Sequence, residues 1–150
     1  MTDPLGATFD ELYNGSPFFV IWNDQFYGDP KLEACGSTGN CDSPWGHSKG
    51  MLAWNDAGEG MVLQVTTPSW PAAGSAKHPR KAGNTLGCVR TQNNLNNAQH
   101  FFALKLDKKG VLAVLKGLWN SSVVTDPNNS QIARLGGPSD IQAEAEKLGQ

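Results

Sequence analysis

Residues 46–67 read GHSKGMLAWNDAGEGMVLQVTT, and the way this stretch folds back on itself decides the architecture. Two apolar runs, 50–54 (GMLAW) and 61–67 (MVLQVTT), flank Asn55 to Gly60 (NDAGEG), a turn signal of Asn, Asp and Gly. Apolar runs bounded in this way predict a β-hairpin. Upstream, residues 18–22 (FFVIW) predict a buried strand, followed by Asn23-Asp24-Gln25 and a long loop of turn formers over 26–46. Asp3 or Thr8 is expected to start a short helix through FDELY that Asn14-Gly15 ends. Downstream, Pro68 to Gly83 is irregular, and residues 85–90 (TLGCVR) and 100–106 (HFFALKL) predict two more strands. Asp107 predicts a cap for a helix over about 108–119, with Val111, Leu112, Leu115, Leu118 and Trp119 on one apolar face. Turn signals fill 120–138. A last helix is expected from Ser139, capped by the pair Ser139 and Gln142, to a Gly149 stop. The sum is four or five strands with two or three helices. The fold class is α/β, a mixed sheet with flanking helices, in a single domain over 1–150.

A chain of 150 residues can bury one sizeable core and is too short for two. Its charged share is 17% and its formal net charge −2, which excludes a broadly basic surface that coats nucleic acid. Any phosphate contact must come from a few placed residues. No stretch approaches the roughly 20 apolar residues of a membrane helix, so no membrane partner is expected. The first residues show no basic and then apolar secretion signal. Among three cysteines, Cys35 and Cys41 bracket the loop CGSTGNC, where a small disulfide ring and two free thiols both fit; the compartment decides between them. Cys88 reads as a small buried side chain in TLGCV. Neither the cysteines nor the three histidines have zinc spacing, and no nucleotide fingerprint is present, so no metal or cofactor is expected. Asn14, Asn120 and Asn128 head Asn-x-Ser sequons, which matter only in a eukaryotic secretory setting.

The chemistry-bearing segment is Gly46-His47-Ser48-Lys49-Gly50 at the start of the hairpin. In a strand, residues i and i+2 share a face, so His47 and Lys49 are expected to project together with Ser48 opposite. A neutral imidazole beside an ammonium makes a phosphate site. Lysine neutralises non-bridging oxygens, while histidine attacks phosphorus or moves a proton. Flanking glycines are expected to let the backbone approach a phosphodiester. By itself a His-x-Lys pair arises by chance roughly one time in five at this composition, and a solvated loop-to-strand junction explains it more readily. Asn23 and Asp24 are candidates to orient the His47 imidazole at the substrate, or equally to close a loop. Trp45 is a candidate to stack on a base, and Lys77, His78, Arg80 and Lys81 form a basic cluster able to hold a DNA backbone or simply a solvated surface. His100 reads as a histidine at the edge of the core; Trp22, Trp54, Trp70 and Trp119 read mostly as core.

The order of motifs changes the weighing. Asn23-Asp24-Gln25 ends an apolar strand and Gly46 to Gly50 opens the next. The hairpin then runs into Pro68-Ser69-Trp70-Pro71, and Gly83, Asn84, Thr85, Leu86, Cys88 and Val89 follow. Over about residues 18 to 106 this resembles the amino-terminal half of the deoxyribonuclease II family, of the phospholipase D-like superfamily. The resemblance implies one half of a pseudo-dimer in which each half gives one His-x-Lys to a shared site. It implies metal-independent hydrolysis of DNA at acidic pH, leaving a 3′-phosphate. One histidine attacks phosphorus to form a phosphohistidine, and the other protonates the departing 5′ oxygen and then activates the water that resolves the intermediate. Imidazoles ordinarily titrate near about pH 6.5, so a pair that must share one proton favours mild acidity. A lysosomal, secreted or periplasmic location goes with such a family.

Only one His-x-Lys is present, since His78 is followed at +2 by Arg80 and His100 by Phe102. The resemblance therefore implies a partner besides DNA: a carboxy-terminal half on a separate chain, or a second copy that brings His47 and Lys49 together across a two-fold axis. A histidine that the family carries in the second hairpin strand is absent from Gln64-Val65-Thr66-Thr67. Asn55, with Asp56 next, stands where an acidic residue usually follows the motif. The alternative reading is a half-domain without catalysis that keeps a phosphate- or partner-binding surface.

Overall fold

The computed structural model describes residues 7–8, 11–26, 31–38, 41, 46–67, 98–130 and 132–149. Among these, five strands form one sheet: β1 (Phe18–Asn23), β2 (Lys49–Trp54), β3 (Gly60–Val65), β4 (Phe101–Leu106) and β5 (Ala133–Arg134), in the order β4-β3-β2-β1-β5. Two α-helices follow β4, α1 (Lys108–Asn120) before β5 and α2 (Ser139–Ala145) after it. The expected hairpin is present. Gly50 pairs with Gln64 and Trp54 with Gly60, and the Asn55 side-chain oxygen accepts the N–H groups of Ala57 and Glu59 at 3.0 Å each. Asn55 is thus engaged in closing the turn, with Gly58 at φ +83° completing it.

Every described strand pair is antiparallel, which corrects the expectation of a mixed sheet. Continuous apolar runs such as FFVIW are usual in parallel sheets because both faces are covered, and here an antiparallel sheet is covered on both faces too. On one face Phe19 and Ile21 of β1 and Met51 and Ala53 of β2 pack with Leu12, Phe26, Leu32, Cys35 and Cys41. On the other, Val20, Trp22, Leu52 and Trp54 meet Val111, Leu115 and Leu118 of α1 and Ile141 and Ala145 of α2. Asp107 caps α1 as expected, its carboxylate accepting the Gly110 N–H at 2.8 Å. Lys108 and Asp140 tie the two helices at 2.9 Å.

Two local expectations fail for physical reasons. Trp119 is 51% exposed, because at 100° per residue it stands about 80° round from Val111, at the margin of the apolar stripe. Ser139 does not cap α2. Extended Pro138 holds the cap position, its carbonyl accepts the Gln142 N–H, and the Gln142 side chain donates to Glu146 instead. The two-residue β5 has no counterpart in the sequence reading. Elsewhere, Glu11–Gly15 forms a π-helical turn that ends at the expected glycine. Cys35 and Cys41 are joined in a disulfide, and the Cys41 N–H donates to the Phe26 carbonyl at 2.7 Å, which ties the ring back to the end of β1. Asp3, Trp70, Cys88 and the strand expected over 85–90 lie outside the described residues.

Candidate active site

The site forms where β1 ends beside the start of β2. Their last ladder pair is Asn23 with Lys49, so Asp24 stands one step further on, opposite Ser48. Backbone pairing continues through one bond, from the Asp24 N–H to the Ser48 carbonyl at 2.9 Å. The Asp24 carboxylate supplies the next link: one oxygen accepts the Ser48 N–H at 3.0 Å and the other the Val124 N–H at 2.9 Å. One buried carboxylate thereby joins the peptide between the two motif residues to a segment a hundred positions away, as charge-assisted bonds of this kind do well. Val124 also accepts the Asn23 N–H at 3.0 Å, and the Thr125 hydroxyl donates to the Ile21 carbonyl at 2.5 Å. The Asn23 side chain closes the turn after β1 by accepting the Gln25 N–H at 2.7 Å. Both residues of the Asn-Asp pair are therefore buried and engaged with backbone.

His47 lies outside the ladder. β2 starts at Lys49, and His47 has φ +67°, a left-handed backbone that histidine enters more readily than most side chains. The strand alternation expected to aim His47 and Lys49 together thus stops short of His47. The imidazole is exposed, while Lys49 is 2% exposed and turned to the inner face with Met51 and Ala53. The two residues still meet, through the backbone: the Lys49 ammonium donates to the His47 carbonyl at 2.9 Å. Ser48 faces the other way as expected, its hydroxyl accepting the Trp22 indole N–H at 2.9 Å. Trp22 also explains Gly50. A Cβ there would come within 2.2 Å of the indole ring and 2.6 Å of the Leu63 carbonyl, so this glycine serves packing. Gly46 has open space around it.

An ammonium has three donors, and among the described residues Lys49 has one hydrogen-bond acceptor, the His47 carbonyl. Burial lowers its pKa from the ordinary lysine value near 10.5, and the negative charge of Asp24 partly restores it. The folded chain therefore releases this proton at a lower pH than the unfolded chain does. Below the folded value the burial cost is fully present; between that value and 10.5 the unfolded state binds more protons and stability rises with pH. Denaturant titrations of wild type and Lys49→Met from neutral to alkaline pH should show that rise in the wild type and a flatter profile in the variant. Parallel profiles would contradict the buried charge.

Among the other sequence candidates, His100 is exposed and its N–H donates to the Thr66 hydroxyl at 2.8 Å. Trp45, Lys77, His78, Arg80 and Lys81 lie outside the described residues. Sequence reading missed Val124 and Thr125; the β-branched run Val123-Val124-Thr125 is the signal that a strand-like segment passes there.

A family model described as deoxyribonuclease II matches residues 1–131. The chain belongs to the deoxyribonuclease II family. The matched span contains the Asn23–Gln25 turn, the whole hairpin and the His47–Lys49 motif, and membership places the chain among hydrolytic nucleases. No curated protein and no solved structure matches it.

Proposed function

We propose that this chain is one half of a metal-independent acid endonuclease whose half-site is His47 and Lys49. The observation that carries the reading is the Lys49 ammonium, buried, with one acceptor among the described residues for three donors. A buried cation left so incompletely paired is unfavourable unless an anion completes its shell, and a phosphodiester oxygen has the right charge and geometry. Lys49 is closed to solvent in this conformation, so the anion enters by displacing what covers it. The His47 imidazole, exposed on the same motif, then attacks phosphorus with expulsion of the 5′ oxygen, or protonates that oxygen. A second His-x-Lys, from a separate carboxy-terminal half or a second copy, takes the complementary role. Water attack on the phosphohistidine releases a 3′-phosphate end and regenerates the imidazole. Lys49 stabilises the charge that builds on the non-bridging oxygens. Trp45 and the cluster of Lys77, His78, Arg80 and Lys81 are proposed contacts to DNA as substrate.

The experiment is plasmid nicking at pH ~5 in a metal chelator, on a species whose solution mass has been measured, with analysis of the ends. Cleavage to 3′-phosphate ends by a species holding two His-x-Lys motifs supports the proposal. Salt-dependent DNA binding with no turnover by that species assigns the chain to the non-catalytic, phosphate-binding alternative.

A further inference from the structure

Thr67 is buried, at 5% exposure, and its hydroxyl has no hydrogen-bond partner among the described residues. Burial alternates past the end of β3: Gln64 exposed, Val65 buried, Thr66 exposed, Thr67 buried. That period places the Thr67 side chain on the face of Leu63 and Val65. The same face carries Met51 and Ala53 of β2, and by the same period Lys49. One step beyond the Gly50–Gln64 pair sets Lys49 opposite Val65, so Thr67 is its diagonal neighbour towards the His47 end. Diagonal partners lie roughly 7 Å apart, a gap that a phosphate spans when it accepts from both.

Folding alone does not account for this hydroxyl. A buried, unpartnered O–H is unfavourable, and valine would fill the place without it. We infer that Thr67 is a second phosphate-contacting residue of the His47–Lys49 site, its hydroxyl donating to a non-bridging oxygen of the phosphate that Lys49 neutralises; this rests on the function proposed above. The two donors would fix the phosphate in one orientation, with the lysine supplying charge and the threonine direction. Both groups are shut from solvent in this conformation, so anion entry requires local opening.

Calorimetric titration of the full chain with inorganic phosphate tests this, using wild type, Thr67→Val, Thr67→Ser and Lys49→Met. Thr67→Val should weaken phosphate binding about tenfold, the loss of one hydrogen bond to a charged group, while its unfolding temperature is unchanged or higher. Thr67→Ser should bind within about twofold of wild type, because it keeps the donor. Lys49→Met should abolish binding. If Thr67→Val binds like wild type while Lys49→Met does not, the Thr67 inference falls and the lysine site stands. If Thr67→Val unfolds at lower temperature with unchanged affinity, or does not fold, the hydroxyl belongs to the fold and the inference is overturned. If Lys49→Met binds phosphate like wild type, or wild type binds none, the proposed function falls together with it.

Discussion

His47→Asn should reduce plasmid nicking by at least ~10³-fold at every pH, whichever role the imidazole takes, because asparagine can neither attack phosphorus nor shuttle a proton at these pH values. Asparagine is the informative replacement here. The backbone at His47 is left-handed, and asparagine tolerates that conformation, whereas alanine adds strain of roughly 1 kcal/mol and confuses a catalytic loss with a structural one. The side chain is exposed, so stability should stay within about 0.5 kcal/mol of wild type. The measurement pairs nicking rates with denaturant unfolding of the same preparations. Equal rates in variant and wild type would remove His47 from the mechanism. A fall in rate matched by a large fall in stability would show that the exposed histidine holds the fold.

Asp24→Ala should have the largest effect on stability of the site substitutions, about 2–4 kcal/mol, because it leaves two backbone N–H groups, those of Ser48 and Val124, without their acceptor. It also removes the negative charge that raises the Lys49 pKa, so the lysine titrates still lower in the variant and the alkaline rise in stability starts at lower pH. The damage should be local first. Amide exchange at Ser48 and Val124 should accelerate more than at Leu52, which sits mid-strand in the same sheet. Nicking should fall by about 10² or more, as expected when reacting groups lose their registration by about an ångström. Unchanged exchange at Ser48 would show that the backbone pairing from Asp24 to Ser48 suffices without the carboxylate.

The parts of this fold that could be read from sequence are those with their own local signal. Phe18–Asn23 is a near-continuous apolar run, the Asn55–Gly60 turn names its hairpin, and Asp107 stands at the start of a spaced apolar stripe. What escaped notice depends on distant partners. β5 is two residues long and exists because Phe19 and Val20 pair with it. The direction of the strands is hidden in the sequence because cover on both faces erases the alternation that marks most antiparallel sheets.

The candidate site shows the same division. The motif His47-Ser48-Lys49 stands out as a candidate site by residue type, and its neighbours Asn23 and Asp24 by their place after β1. Its geometry does not. Strand alternation ends one motif residue short of His47, and nothing in GHSKG announces that His47 turns left-handed before the ladder begins. Asp24 could be taken for a partner of the imidazole because its true partners, the Ser48 and Val124 amides, are backbone groups that any sequence supplies. The glycine at position 50 reads as clearance for substrate until Trp22 is seen lying against it. The Cys35–Cys41 spacing allowed a ring or two thiols, and only the fold, which turns residue 41 back to Phe26, decides for the ring.

That the Lys49 ammonium and its motif form a phosphate site is the claim on which the account turns, and nuclear magnetic resonance of the chain titrated with inorganic phosphate tests it without needing the second half-site. Saturable shifts centred on the amides of Ser48 and Lys49, lost in Lys49→Met, are the expected result. Absence of shifts at residues 47–49, or shifts that survive in Lys49→Met, would contradict it.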